Sequence, residues 1–236
     1  MKKAKGYVVY EGKSQLDTNV DIVAILTMKT TNVKTGNMAQ LWILHKDIEP
    51  HTATKTGDDY AVCGSCPQRH YNGGACYVTT FQAPLAVYRT YKKGGYTKGL
   101  PAFNYHASVR LGAYGDPAAL PYETIVDVCS AFGSHTGYTH QASHRNFDDR
   151  LQGLVMASAD TYKQAIKLQA KGFKTFRVKL PNDGYLDNEI ECLADSKGLT
   201  CEQCGICDGD QKNVAISVHG SKKSKFKSSI IPTVSV

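Results

Sequence analysis

Ser108-Val-Arg-Leu-Gly-Ala-Tyr-Gly-Asp-Pro-Ala-Ala-Leu-Pro-Tyr-Glu-Thr-Ile-Val-Asp-Val-Cys-Ser-Ala-Phe-Gly133 decides the fold class. It opens on a strand, Ser108 to Gly112, that ends at the turn residues Ala113-Tyr114-Gly115-Asp116. A helix is expected next, from about Pro121 to Phe132. Tyr122, Ile125, Val126, Cys129 and Phe132 recur there at the i, i+3, i+4, i+7 spacing of one helical face. Gly133 supplies the stop. A strand followed at once by an amphipathic helix is the repeating unit of a parallel α/β fold.

Outward from this unit the alternation continues. Thr136 to His140 and Leu151 to Ala157 read as strands. Ser158-Ala159-Asp160 then caps a helix running to Lys171, and Gly172 ends it. Phe176, Val178 and Leu180 alternate with Thr175, Arg177 and Lys179 as a strand does, Glu189-Ile190-Glu191 is a short strand, and Val214 to Val218 is the last. Upstream, Asp21 to Thr27 and Leu41 to Leu44 are apolar strands, and Pro84 to Tyr91 is a helix stopped by Lys92-Lys93-Gly94-Gly95. Residues 1–20 read as an irregular lead-in, and His45 to Asp59 as a loop. With 236 residues the chain falls short of the about 250 of a full eight-fold barrel. The expectation is one α/β domain over residues 1–236, mostly parallel and irregularly (β/α) barrel-like. Cysteine-rich metal-binding loops decorate it, and a basic, mobile tail occupies 222–236.

Composition bounds the class. Hydrophobic residues make up 42% and mean hydropathy is −0.34, ordinary values for a globular chain. No run of eighteen apolar residues exists, so no membrane span is expected. The N-terminus is basic but lacks an apolar segment, which predicts no secretory signal and a cytoplasmic chain. In that compartment eight cysteines read as metal ligands or free thiols rather than disulfides. Net charge is +7, partly from Lys222, Lys223, Lys225 and Lys227. Such basic ends permit weak nucleic-acid contact, and Tyr88, Tyr91 and Tyr96 add aromatic surface.

The chemistry concentrates in the cysteines. Cys192, Cys201, Cys204 and Cys207 place four thiols within sixteen residues, the last three spaced Cys-x2-Cys-x2-Cys. Two intervening residues let a tight loop aim successive sulfurs at one point, and this double step suits a 4Fe–4S cluster held by four thiolates. Zinc, the alternative, more often takes two separated Cys-x2-Cys pairs. Cys63, Cys66 and Cys76 form a second group of three. They could join His70 in a Cys3His zinc site, hold a cluster with one iron left open, or pack beside the C-terminal group. Cys129 lies on the apolar helical stripe and reads as a core thiol.

In parallel α/β folds, functional groups sit beyond the carboxyl ends of strands. That rule selects Gly115-Asp116, His140-Gln141, Ser158 to Asp160 and Cys192, and makes Asp116 and His140 the catalytic candidates. Dinucleotide, P-loop, zinc-protease and nucleophile-elbow motifs are all absent, as is the Cys-x3-Cys-x2-Cys run of radical S-adenosylmethionine enzymes.

Several stretches occur together in a known order. They are Cys63-x2-Cys66-Pro67 with Gly74-Ala-Cys76-Tyr77, Arg110-Leu-Gly-Ala-Tyr-Gly-Asp-Pro-Ala-Ala119, Thr136-Gly-Tyr-Thr-His-Gln141, Phe176-Arg-Val178, and Cys192 with Cys201-x2-Cys204-x2-Cys207-Asp-Gly209. Over roughly residues 60–220 the chain resembles an uncharacterised cysteine-rich bacteriophage family of the "gene product 88" type. The family pattern usually has Cys-Pro-Ala-Ser where this chain has Cys192-Leu-Ala-Asp-Ser196. The resemblance implies a viral protein made in the host bacterium's cytoplasm and an iron–sulfur cluster, but no reaction. The expected role is redox, either electron transfer or cluster-dependent catalysis, with an unidentified redox partner or small molecule. A zinc-stabilised binding module for nucleic acid or a host protein is the alternative, and a radical S-adenosylmethionine-like enzyme a further one.

Overall fold

A computed structural model describes residues 6–100, 105–220 and 222–226. The chain runs β1 (Gly6–Lys13), β2 (Asp21–Thr27), β3 (Ala39–His45), α1 (Pro50–Thr56), α2 (Tyr60–Cys63), α3 (Ala83–Lys92), β4 (Thr97–Lys98) and β5 (Tyr105–Tyr114). It continues through α4 (Tyr122–Ser130), β6 (Phe132–Thr139), β7 (Met156–Ala159), α5 (Tyr162–Ala170) and β8 (Thr175–Lys179). Last come β9 (Glu189–Glu191), α6 (Leu193–Ser196), α7 (Cys201–Cys204) and β10 (Asn213–Ser217).

The ten strands form one sheet in the order β4-β1-β2-β3-β5-β6-β7-β8-β10-β9. β1, β2 and β3 are an antiparallel meander, and β3 onward is parallel across seven neighbouring strands. The expected α/β architecture is therefore present. The expected barrel closure is not seen, because β4 and β9 lie at opposite edges and are not paired with each other.

Burial explains the layout. β2 is a continuous apolar run, Ile22 to Leu26, fully buried on both faces, as a strand deep in a covered sheet must be. Leu41, Ile43 and Leu44 of β3, Val109 and Leu111 of β5, and Ile125 and Val128 of α4 extend this core. Cys129 packs against it, half-buried, as a core thiol, and burial pushes that thiol up to about 12. A smaller core lies under α5, around Ala157, Ala165, Leu168 and Phe173.

Several sequence expectations need correction. The lead-in contains β1, an eight-residue strand paired with β2. The polar loop after β3 holds α1, which begins at Pro50 and ends at Gly57 in the left-handed conformation. Phe132 does not close α4. It opens β6, which also absorbs Gly133. β7 starts only at Met156, after a 3-10 turn at Asp149–Leu151. Of the 222–236 tail only Lys222 to Phe226 is described, and Phe226 is buried there.

β8 inverts its expected sidedness. Thr175, Arg177 and Lys179 are the buried side, while Phe176 and Val178 are half-buried on the other face. Arg177 is only 1% exposed and is held by Glu189 through Nε (2.8 Å to Oε1) and a terminal nitrogen (2.6 Å to Oε2), with Gly184 O accepting a third bond. Burying this ion pair is tolerable because the Arg177 fork and the Glu189 carboxylate meet face to face, and breaking it strands a charge. Glu189→Ala is expected to cost about 3–5 kcal/mol, the range for an orphaned buried partner. The midpoint of urea unfolding reads this directly, and a change below about 1 kcal/mol would refute the pair's structural weight.

Candidate functional site

One face of β5, β6, β7, β8 and β10 forms the floor of a cavity of about 530 Å³. Arg110, Tyr138, Ser158, Phe176 and Ile216 are among its floor residues. Two thiol loops lie over it. Seven of the eight cysteines line this cavity, Cys63, Cys66 and Cys76 from one loop and Cys192, Cys201, Cys204 and Cys207 from the other. All are free thiols. The two groups, far apart in the chain, thus face one space.

The first loop is held by polar bonds. α2 ends at Cys63, and Gly64 turns with φ +53°, a left-handed backbone that suits glycine. A Cβ there would press on the Gln141 amide oxygen, which the clamp holds in place. Gln141, fully buried, donates from Nε2 to Cys63 O (3.0 Å) and accepts at Oε1 from the Ser65 backbone (3.0 Å). Arg69, buried between Cys66 and Cys76, pairs with Asp59 and donates to Gly57 O (2.7 Å) and Gly64 O (3.2 Å). Neither role was legible, since an isolated glutamine or arginine carries no periodic signal.

The second loop follows β9 and is fastened at both ends. Cys192 N donates to Ala215 O (2.9 Å), Gly137 N of β6 donates to Cys207 O (3.1 Å), and Cys201 N donates to Lys34 O (3.0 Å) in the β2–β3 connection. α7 is a single turn with a full capping box. Thr200 Oγ1 accepts from Gln203 N (3.3 Å) while Gln203 Oε1 accepts from Thr200 N (2.9 Å). This short turn sets Cys201 and Cys204 on one side, three residues apart.

Strand ends position the remaining candidates. Gly115-Asp116 follows β5, His140-Gln141 follows β6, Asp160 follows β7 and Cys192 follows β9. Asp116 is a brace rather than a free carboxylate. Its oxygens accept from Ala118 N (3.0 Å) and His140 N (2.8 Å), and its own N–H donates to Val62 O (2.6 Å). Burial raises its pKa, opposed by these bonds and by Thr139. Asp160 is not the helix cap, because Thr161 caps α5 by accepting from Gln164 N (3.1 Å). Asp160 is 6% exposed, and neither carboxylate oxygen accepts a hydrogen bond. Its Oδ2 stands 3.5 Å from His140 Nε2. Burial alone would lower the His140 pKa, but Cys66 and Asp160 outweigh it and hold the imidazole well above its usual value. His70 is not placed as a ligand, because Val78 O (3.1 Å) and the Lys222 ammonium (2.9 Å) occupy its ring nitrogens.

Among the described residues, no three His, Cys, Asp or Glu side chains stand close enough together to hold a metal ion. The chemistry of the donor set nevertheless fits a thiophilic cation. Burial, followed by repulsion from Cys192, Cys201 and Cys204, pushes Cys207 up to about 12, although the Tyr138 hydroxyl favours its thiolate. Burial raises Cys63 well above the ordinary thiol value, with Asp59, Cys66 and Cys76 adding to it, and burial raises Cys76 too. Neighbouring thiols that oppose one another's ionisation shed their protons together only around a cation.

No helix among the described residues is long and apolar enough to cross a membrane. No family model, curated protein or solved structure matches this chain. Gln141→Ala is expected to leave Ser65 N unpaired and Cys63 O with Cys66 N (3.2 Å) alone, at about 1–3 kcal/mol in stability. In parallel, alkylation of Cys63 and Cys66 in metal-free protein should accelerate relative to Cys129. Unchanged alkylation would show that Gln141 does not hold the turn.

Proposed function

We propose that this chain is an iron–sulfur protein with a redox role, in which the cavity between two thiol groups receives a small molecule. One observation carries the reading: seven thiols from two distant loops face one cavity on the sheet. Cys192, Cys201, Cys204 and Cys207 are the residues that would hold a 4Fe–4S cluster. Cys63, Cys66 and Cys76 would hold a second centre with one position free. When bound, such a cluster supplies one-electron chemistry at a potential tuned by burial and hydrogen bonds to its sulfurs.

The chain's own residues support catalysis over electron transfer alone. The apolar wall of Phe176, Val178 and Ile216 can exclude water from a bound molecule. His140, held by Asp116 at its backbone and flanked by Cys66 and Asp160, can hold or release a proton beside the first thiol group. Tyr138 and His140 are two residues apart, about 7 Å along a strand, and meet Cys207 and Cys66 respectively. The two thiol groups are thus linked by near neighbours, one at the end of β6 and one just beyond it. The phage resemblance supports a reducing bacterial cytoplasm as the setting, where thiols stay free for metal.

A second reading, a radical S-adenosylmethionine-like enzyme, is favoured by the count of three thiols in the first group and by the carboxylate of Asp160 left without a donor. Anaerobic purification, with iron and sulfide reconstitution if needed, should yield iron and sulfide in equal amounts, visible absorption, and an EPR signal after dithionite. Cys204→Ala should remove the centre of the second loop while sparing the first. A colourless, iron-free protein after reconstitution would end the iron–sulfur reading, and stoichiometric zinc in its place would favour a binding module. Consumption of S-adenosylmethionine by reduced wild type but not Cys66→Ala would select the second reading.

A further inference from the structure

Among the described residues, Arg110 is a cation without an anionic partner. It stands in β5, and its guanidinium lines the cavity. One terminal nitrogen donates to the Tyr77 hydroxyl (2.8 Å), and the guanidinium carbon lies 5.7 Å from the centre of the Tyr138 ring. Both partners are neutral. Its Nε is buried and donates to nothing. Every ion pair among the described residues is made by other cations, so no carboxylate answers this one. A guanidinium cannot escape by losing its proton, and a part-buried charge without a counter-charge is costly.

The second set of thiols lines the same cavity, and Arg110 pairs in register with Thr136 of β6, next to Gly137, whose N–H donates to Cys207 O (3.1 Å). Tyr138, under the guanidinium, carries its hydroxyl to Cys207. A cationic core held by four thiolates is net anionic, and each added electron makes it more so. Such a centre is the anion that Arg110 lacks.

We propose that Arg110 is the built-in counter-charge of the thiolate centre at Cys192, Cys201, Cys204 and Cys207, a positioning residue that favours its reduced state and raises its reduction potential. This rests on the assignment of those four thiols as metal ligands. Removing the charge lowers the potential, and a lysine, which keeps the charge but loses the planar fork, restores part of it.

The test is an anaerobic potentiometric titration of reconstituted protein followed by EPR, for wild type, Arg110→Gln and Arg110→Lys. The expected result is wild-type iron and sulfide content in all three, a lower midpoint for the glutamine variant and an intermediate one for lysine. A wild-type midpoint in the glutamine variant at full cluster content overturns the proposal. Arg110→Met, which retains the aliphatic stem, gives the same comparison if the glutamine variant does not fold. Wild-type protein that takes up no iron refutes the iron–sulfur assignment separately. The variants are then compared by cobalt(II) titration through thiolate charge-transfer absorption. Binding weakened several-fold in glutamine but not in lysine upholds the counter-charge, and equal binding overturns it.

Discussion

Both thiol loops hang on the polar groups of a single strand and its exit, β6. Gly137 N takes Cys207 O, and the His135 imidazole sits 3.0 Å from Leu154 O and 3.1 Å from Asp208 O. Two residues beyond the strand end, Gln141 clamps the turn of Cys63 to Cys66. Asp116 ties His140 N to the segment just before Cys63. A backbone group left buried without such a partner would cost about 1–3 kcal/mol. The cavity exists because that satisfaction is found in the loops above the sheet.

The two thiol groups have different electrostatic surroundings. The first sits among carboxylates, Asp59, Asp116 and Asp160, with Arg69 and His140 as compensating cations. The second faces Arg110 and the Tyr138 hydroxyl, with no carboxylate on the guanidinium. Surroundings of this kind tune otherwise similar thiolate sites apart, through charge and hydrogen bonding to sulfur.

The strand β8 shows where sequence reasoning stops. Its alternation is real, and Phe176 and Val178 do share a face. The rule that apolar residues mark the core side fails because the opposite face lies under the 180–189 segment, whose Glu189 and Asp183 O satisfy Arg177 and Lys179. The apolar face was left for the cavity instead. The missed elements have similar causes. β1 has a half-polar pattern with a bulge near Val9, and α1 is a threonine-rich helix of about two turns with no apolar stripe.

By itself the sequence determined the parallel α/β class, the helices α3, α4 and α5, and the strand-end positions of Asp116, His140, Asp160 and Cys192. These follow from local periodicity and turn chemistry, which short stretches carry in full. It also grouped the cysteines by spacing, because two-residue gaps constrain neighbouring thiols directly. Only the tertiary structure decided that the two groups share one cavity, that Asp116 is a brace and Asp160 an unsatisfied carboxylate, and that Arg110 lacks an anion. Those outcomes depend on which distant backbone groups find hydrogen-bond partners when the loops close over the sheet. Residues as far apart as Gln141 and Cys63, or Gly137 and Cys207, carry no mark of their meeting in local sequence.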